Sequence, residues 1–416
     1  MTYFREPDAL RKIPMLSDLP PWQIEVVAEA VEPIVVEKGQ LLVERGSDDG
    51  YTYFLTEGQV SFDAADGQSR VVALNAEHAR TPVANLRPRI ITVKALSNVR
   101  GIRVPDIVLS AAGCGRSGSA AGSIRVESED EGERRELESR LSFELYRDLK
   151  SDKSILPSLP DLALKIRRTI EQDSATARKV ARLIETDPAM TAKLIKVSNS
   201  AFYAGVTGVE SCSAAVVRLG LETTKKLVIS FALKEVFKSK DPLIQKRMHV
   251  LWKHSAQIAA QCFVLAGEIP GIGPEEALMV GLVHDIGAIA ILNYAERFPE
   301  LAADAEALET TINHMRGELG AMILRAWKFA PLVIAAARDA EDWTRQHNGP
   351  ADFTDLLIVA QVHERLRKHD GAGLPPMEQI SAFQRVLGAD AGPEKSLEIL
   401  HAAKARVDQM RSALRG

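Results

Sequence analysis

The chain has 416 residues, of which 46% are hydrophobic and 26% are charged. At roughly 150 residues per domain this length predicts two or three domains, and the composition excludes a wholly disordered chain. The formal net charge of −4 lacks the basic excess of a general nucleic-acid coat or a cationic membrane binder, although a local basic patch is still allowed.

The cysteines and the apolar segments indicate a compartment. Cys114, Cys212 and Cys262 are widely spaced and form no CxxC pair, so neither a disulfide framework nor a thiolate zinc site is predicted. The first residues contain no apolar segment typical of a signal peptide, and no uninterrupted apolar run reaches about 18 residues. We therefore expect a cytoplasmic protein without a membrane span.

The first 110 residues have the pattern of a β domain. After a helical segment at 20–31 come short runs rich in β-branched residues. Gly39, Gly46, Gly58 and Gly67 separate these runs. Short strands at such spacing predict a compact β-barrel or sandwich.

The composition changes at residues 113–132, which combine small residues with the acidic run ESEDEG and predict a flexible linker. Leucine then recurs at every fourth position, on one face of a predicted helix: Leu137, Leu141, Leu145 and Leu149. Two interpretations stay open. The helix lies on its own domain, or it pairs with the same helix of a second chain in a two-fold homodimer.

From residue 156 to the end the pattern is helical, with about ten helices. The pairs Asp187-Pro188, Asp241-Pro242 and Gly273-Pro274 place proline in a first helical turn, where its missing N–H costs nothing. The sequence thus predicts a multidomain protein of α and β class. Its segments are an N-terminal β-barrel or jelly roll at 1–112, a linker with the leucine-striped helix at 113–150, and an all-α bundle at 151–416.

The N-terminal segment resembles a cyclic-nucleotide-binding domain of the catabolite-activator type in its entry helix and in the strings KGQLLVERG and YFLTEGQV. In that family an arginine pairs with the cyclic phosphate and a glutamate of a Gly-Glu step binds the ribose. RIITVKA resembles the family's arginine segment and puts Arg89 at the phosphate position, with Ile91 where a small residue is usual. The Gly-Glu step is missing, and the nearest carboxylate, Glu77, is displaced.

Two interpretations of Arg89 follow from this resemblance. In the first the barrel is a degenerate sensor, and Arg89 forms a structural ion pair. In the second Arg89 binds a cyclic nucleotide or another small anion, such as a nucleotide second messenger. A buried ribose hydroxyl without a partner would cost roughly 1–3 kcal/mol, which favours the first.

The helical segment resembles the HDOD domain, an output domain related to the HD phosphohydrolases. The similarity covers about residues 150–370 and rests on several strings in the family's order. They are LPSLPDLALKI, LIETDPAMTAKLIKVSNSAFY, AAVVRLGLETTKKLVIS, WKHSAQIAAQC, ALMVGLVHDIGAIAIL and HMRGELGAMILRAWKFAPLVIAAA.

The HD hydrolases hold a divalent metal with a helix histidine, a His-Asp pair and a later aspartate, which together activate water on a phosphoryl group. This resemblance implies that His254, His284 and Asp285 form a degenerate metal site, because Gln361 stands where the fourth ligand is expected. Ala288 and the segment RDAEDW replace further catalytic positions, and His314 matches one more histidine position.

Three interpretations of this set stay open: a hydrogen-bonded brace between helices, a bound metal without turnover, or a working phosphohydrolase. We expect the first. The chain is then a signalling regulator in which a nucleotide-sensor-like barrel is coupled to a non-catalytic HDOD domain that binds protein partners. A helix-turn-helix does not follow the barrel, so direct nucleic-acid binding is not expected. The alternatives are a metal-dependent phosphodiesterase acting on a cyclic nucleotide or dinucleotide, and a constitutive scaffold.

Overall fold

The computed structural model of the chain describes residues 7–64, 67–74, 78–85, 89–112, 114, 145, 147–148, 156–172, 174–203, 205–296, 304–368, 374–388 and 393–415. The chain divides into two compact units. The first unit comprises Met1–Leu156 together with Phe298–Arg338, and the second comprises Pro157–Arg297 together with Asp339–Gly416.

The first unit opens with helices α1 (Pro7–Leu10) and α2 (Pro21–Ala30) and then forms seven described strands. These are β1 (Glu32–Val36), β2 (Leu41–Val43), β3 (Tyr51–Glu57), β4 (Gln59–Asp63), β5 (Ser69–Ala73), β6 (Thr92–Ala95) and β7 (Val99–Pro105). They pair antiparallel in two sheets, of order β1-β7-β3 and β2-β6-β4-β5. The predicted N-terminal β domain is thereby confirmed.

The two sheets enclose an apolar core. Leu55, Val60, Val93 and Val99 are buried together in it, as the β-branched runs of the sequence predict. Gly58 closes the β3–β4 turn with φ +107°, and a Cβ at this position would lie 2.6 Å from the carbonyl oxygen of Asn98. Only glycine meets both requirements, so this residue fixes the hairpin.

The described part of the first unit contains three more α-helices: α3 (Asp106–Ala111), α12 (Ala305–Ala326) and α13 (Pro331–Arg338). Within this unit α12 packs against both α3 and α13. The sequence places residues 298–338 in the helical segment 151–416, whereas they group here with the barrel. The predicted domain boundaries stay a prediction, because a compact unit of the structure need not coincide with a family domain of the sequence.

The second unit is helical. Its helices are α4 (Asp161–Ile170), α5 (Ala177–Ile184), α6 (Pro188–Ser198), α7 (Cys212–Leu219), α8 (Leu221–Ala232), α9 (Pro242–Ala266), α10 (Pro274–Val283), α11 (Ile286–Ala295), α14 (Phe353–Arg367), α15 (Ala382–Leu387), α16 (Pro393–Ala402) and α17 (Lys404–Arg415). The long α9 is central, since α10, α14 and α17 all pack against it. The predicted helical class is confirmed.

The predicted helix starts are also confirmed. Pro188, Pro242 and Pro274 open α6, α9 and α10. The side chain of Asp187 accepts a hydrogen bond from the N–H of Met190, at 3.0 Å. Such caps satisfy backbone donors that have no partner inside the helix.

One apolar stretch in the described part of the chain, Pro274–Ala295, has the length and composition of a membrane span. It consists of α10 and α11, separated by the polar turn at His284 and Asp285. Within the protein, 94% of the most apolar 18-residue segment of this stretch is buried. The stretch therefore lies in the core of the helical unit, beside the candidate site.

The predicted leucine stripe falls mostly outside the described residues. Leu145 is described and is buried in the first unit, with 1% exposure. Leu137, Leu141 and Leu149 lie outside the described part. Dimerisation through this stripe stays a prediction.

Candidate functional site

The histidine cluster consists of His254, His284 and Asp285, the three residues that the sequence proposes as metal ligands. His254 lies in the middle of α9, and the other two form the turn between α10 and α11. Gly281 permits a close approach of α9 and α10, because a Cβ there would overlap the backbone of Ala259. This short distance between the helices brings the three side chains together.

The functional atoms of the cluster converge on one point. The two Nε2 atoms of His254 and His284 are 3.3 Å apart. Oδ2 of Asp285 lies 3.2 Å from Nε2 of His284 and 3.6 Å from Nε2 of His254. The His284 side chain is fully buried, whereas that of His254 is 24% exposed, so His254 is on the solvent side of the cluster.

A hydrogen bond fixes the tautomer of His284. Its Nδ1 lies 2.8 Å from the carbonyl oxygen of Gly281, which can only accept, so Nδ1 carries the proton. In the neutral ring Nε2 is then an acceptor, and it faces the Asp285 carboxylate, which is an acceptor as well. Nε2 of His254, 3.3 Å away, can donate to Nε2 of His284 in one neutral tautomer, and a shared proton or a bound cation would also relieve the contact between the two acceptors.

The protonation of His254 also suits a cation. Burial, and then the neighbouring His284, lower the pKa of His254 to about 4, although Asp285 opposes this shift. The ring is therefore neutral at pH 7, the form in which imidazole binds metals. Two imidazoles and one carboxylate form a donor set that suits divalent transition metals. The three residues fit such an ion.

The fourth position is different. Gln361, on α14, is buried, and its Nε2 donates a hydrogen bond to the carbonyl oxygen of Ala340 at 2.6 Å. Helix α14 packs against α9, which carries His254, and against α10, which ends directly before His284. The side chain of Gln361 is thus fixed to the backbone, and its amide oxygen is a neutral ligand that adds no anionic charge.

A carboxylate that the sequence interpretation missed lies three residues further along α14. Glu364 is buried and raises the pKa of His254 through its charge. It is paired with Arg367 at 2.7 Å and with Lys368 at 3.3 Å. Burial alone would raise the pKa of Glu364, but these two cations hold it below its usual value. Glu364 follows Gln361 by three residues, so both side chains lie on the same face of α14. This spacing could have identified Glu364 from the sequence.

A second group with metal-ligand residues, His347, Asp352 and Asp355, also lies in the helical unit. Asp355 accepts from His347 at 2.8 Å and from Arg385 at 2.8 Å. Asp352 pairs with Arg345 at 2.6 Å and caps α14 together with Asp355. Because guanidinium groups already neutralise these carboxylates, the group fits an ion-pair network rather than a metal site.

Arg89, the predicted phosphate-binding residue, is buried in the barrel, with 0% of its side chain exposed. One Nη atom donates to Oδ1 of Asp49 and to the carbonyl oxygen of Tyr51, both at 2.7 Å, and the other donates to the carbonyl oxygen of Ala84. The guanidinium is therefore engaged within the protein. Glu77 lies outside the described residues, and ligand binding by Arg89 stays a prediction.

The sequence also predicted roles for positions 288 and 314. Ala288 is buried in α11 and offers no polar side chain. His314 is exposed on α12, in the first unit.

Residues 156–343 match the HDOD domain family, which confirms the predicted resemblance. A crystal structure of a candidate metal-dependent phosphohydrolase from Shewanella amazonensis is 27% identical to this chain, with a TM-score of 0.58. The similarity covers 67% of this chain and 99% of that one.

Two other similarities were found. An uncharacterized protein of Treponema pallidum (strain Nichols) is 26% identical over 242 residues, which are 54% of this chain but only 44% of that protein. The sensor domain of the transcriptional regulator DNR from Pseudomonas aeruginosa is 15% identical, with a TM-score of 0.23, and covers 26% of this chain and 79% of its own. The fold of the barrel is defined by its own strand order.

Proposed function

We propose that this chain is a cytoplasmic signalling regulator in which the N-terminal barrel is coupled to an HDOD domain that acts by binding protein partners. The barrel is the sensing part, and a phosphate-bearing nucleotide is the class of ligand that its resemblance implies. The HDOD domain is the output part, and it does not hydrolyse a substrate.

The position of Gln361 carries this proposal. A phosphohydrolase of the HD type needs a metal with enough anionic ligands to polarise a phosphoryl oxygen and to activate water. Among the described residues, Asp285 is the one carboxylate of the histidine cluster. On the neighbouring helix α14, Gln361 is fixed to Ala340, and Glu364 is neutralised by Arg367. A metal in this cluster would therefore have one anionic ligand.

A metal-dependent phosphohydrolase is the second candidate function. Its supporting observation is the convergence of the three ligand atoms, which all lie within 4.8 Å of one another. The name of the Shewanella amazonensis protein agrees with this alternative. If a metal binds, His254, His284 and Asp285 would hold it, and it would act as a Lewis acid toward a phosphate ester.

A hydrolysis assay distinguishes the two candidates. The full chain would be stripped of metal with a chelator, loaded with Mn²⁺ and incubated with bis(p-nitrophenyl) phosphate, cyclic AMP and cyclic di-GMP. We expect no hydrolysis above that of an Asp285→Ala variant. The control variant His347→Gln alters the second group of metal-ligand residues. Metal-dependent hydrolysis would establish the enzyme instead if Asp285→Ala lost it and His347→Gln kept it.

Calorimetry tests the sensing part separately. If the barrel binds cyclic AMP or cyclic di-GMP through Arg89, an Arg89→Ala variant loses a charge-assisted pair and binds about 10- to 100-fold more weakly. Equal affinity of the two proteins would contradict the role of Arg89. Absence of binding to both nucleotides would favour a barrel that has lost its ligand.

A further inference from the structure

The turn between β2 and β3 holds charged residues from two sides. Asp48 and Asp49 are adjacent in this turn, and their side chains have different partners. Asp49 accepts from Arg89, the residue at the predicted phosphate position, and also from the N–H of Tyr51 at 3.1 Å and the hydroxyl of Tyr53 at 2.9 Å. Asp48 accepts from Arg325 of α12 at 2.7 Å and from Arg338 of α13.

The Asp48 clamp, formed by Asp48, Arg325 and Arg338, is well buried. None of the Asp48 side chain is exposed, and only 4% of the Arg338 side chain is. Each carboxylate oxygen of Asp48 takes one guanidinium group, so a small rotation of the carboxylate weakens both bonds. The clamp is therefore sensitive to the conformation of the turn.

The turn also has little freedom to move without disturbing the clamp. Gly50 has φ +75°, and a Cβ there would lie 2.5 Å from Nη1 of Arg325. The carbonyl oxygen of Gly50 accepts from the N–H of Asp106, the first residue of α3. On the other side, the backbone of Arg89 bonds to Gly46 and Ser47, at 2.7 and 3.0 Å. The turn thus connects the Arg89 segment directly to the helices.

Helices α12 and α13 lie within residues 156–343, the HDOD domain, although they belong to the same compact unit as the barrel. After Arg338 the chain continues directly into the second unit. The Asp48 clamp therefore joins the barrel to two helices of the region that matches the HDOD family.

We propose that the Asp48–Asp49 turn couples Arg89 to helices α12 and α13, so that an anion that captures Arg89 removes the charged bond of Asp49 and loosens the Asp48 clamp. This inference rests on the proposed coupling of the barrel to the HDOD domain and names the residues that perform it. The ligand it requires is a phosphate-bearing anion, which competes with the Asp49 carboxylate for the same guanidinium.

Hydrogen exchange of the full chain tests this coupling without any ligand. Asp49→Asn removes the charge that holds Arg89 while nearly preserving the shape of the side chain. We expect amide exchange in 319–338 to increase at least fivefold, while exchange in α9 and α10 stays unchanged. The matched control is Glu32→Gln, which removes the 2.8 Å pair with Arg103 in the same barrel and should leave 319–338 unchanged.

A second variant makes the test independent of the stability of the barrel. Arg338→Gln opens the Asp48 clamp directly, so Asp49→Asn added to it should change exchange in α13 by less than twofold. If the double variant instead increased the exchange rate by the product of the two single-variant factors, the substitutions would act independently and the proposal would be overturned. Faster exchange at 46–50 with no change in 319–338 would overturn it as well. Neither result would bear on hydrolysis or nucleotide binding, which have their own assays.

Discussion

Two buried polar groups of this protein solve the same electrostatic problem differently. At the turn of the first unit, Asp48 and Asp49 each face guanidinium groups, so the carboxylates are neutralised within the protein. In the histidine cluster of the second unit, Asp285 faces Nε2 of His284, and both atoms are acceptors. The first group is complete without a ligand, whereas the second gains from one additional positive charge.

The difference teaches that a residue at a motif position does not reveal its role by itself. Arg89 stands at the position of a phosphate-binding arginine, yet its hydrogen bonds are used inside the barrel. His254, His284 and Asp285 lack the fourth ligand of the parent family, yet their atoms still converge. What decides is the local balance of donors, acceptors and charge.

The largest expected effect is at the Asp48 clamp. Replacing Asp48 by alanine leaves the guanidinium groups of Arg325 and Arg338 buried and without their shared carboxylate. We expect the free energy of unfolding of the first unit to fall by about 3–5 kcal/mol, as for other broken buried ion pairs. Chemical denaturation would measure it. The control Glu57→Ala breaks an exposed pair with Arg100 and should cost about 0–1 kcal/mol. A loss below 1 kcal/mol at Asp48 would contradict this view of the clamp.

The next effect concerns a metal in the histidine cluster. Mn²⁺ added to the metal-free chain at 100 times its dissociation constant should stabilise the second unit by about 2.7 kcal/mol. Thermal unfolding with and without Mn²⁺ measures this shift. Asp285→Ala should abolish it, because the cluster then lacks its anionic ligand, and His347→Gln should keep it. An equal shift in Asp285→Ala would place the metal elsewhere.

A smaller effect depends on pH and concerns Glu318, which lines a cavity of about 70 Å³ with Asp106 and Arg338. Burial, and then the charge of Asp106, raise the pKa of Glu318 to about 7, against the opposing effect of Arg338 and Arg325. A raised carboxyl pKa favours the folded state at low pH, and this contribution is lost as the pH rises from about 4.5 through 7.

Glu318→Gln should remove this dependence. Relative to the wild type, the variant should become more stable by roughly 1–3 kcal/mol as the pH rises from 4.5 to 8. Denaturation curves at several pH values measure the difference. A constant difference across this range would show that Glu318 keeps an ordinary pKa in the folded protein.

The sequence predicted the helices and strands that carry the two buried groups better than it predicted which residues contact one another in them. The strand runs, the proline-led helix starts and the adjacent His284-Asp285 pair are local patterns, and the structure contains them. The partner of Arg89 is 40 residues away in sequence, and those of Asp48 are 277 and 290 residues away. Periodicity fixes which face of a helix is apolar but not which element covers it, so the grouping of α12 and α13 with the barrel could not be read from it.

The smallest expected effect tests the comparison between the two buried groups most directly. Removal of a buried carboxylate charge is expected here to raise the stability of the protein or leave it unchanged. Asp285→Asn replaces an acceptor by an amide that can donate a hydrogen bond to Nε2 of His284, in nearly the same shape. In the metal-free chain we expect the stability of the second unit to stay equal or to rise by up to about 1 kcal/mol.

Asp355 supplies the matched control for this substitution, because it is equally buried in the same unit but faces Arg345 and Arg385. Asp355→Asn should therefore destabilise that unit by about 2–4 kcal/mol, since Arg385 loses its ion pair with Asp355 and Arg345 keeps its pair with Asp352 but loses the second carboxylate. Chemical denaturation of both variants in the presence of a chelator measures the contrast. Equal losses at both positions would mean that the Asp285 carboxylate is already balanced by a positive charge, most simply a proton shared with His284. The two buried groups would then be of one kind, and the case for a cation in the histidine cluster would be lost.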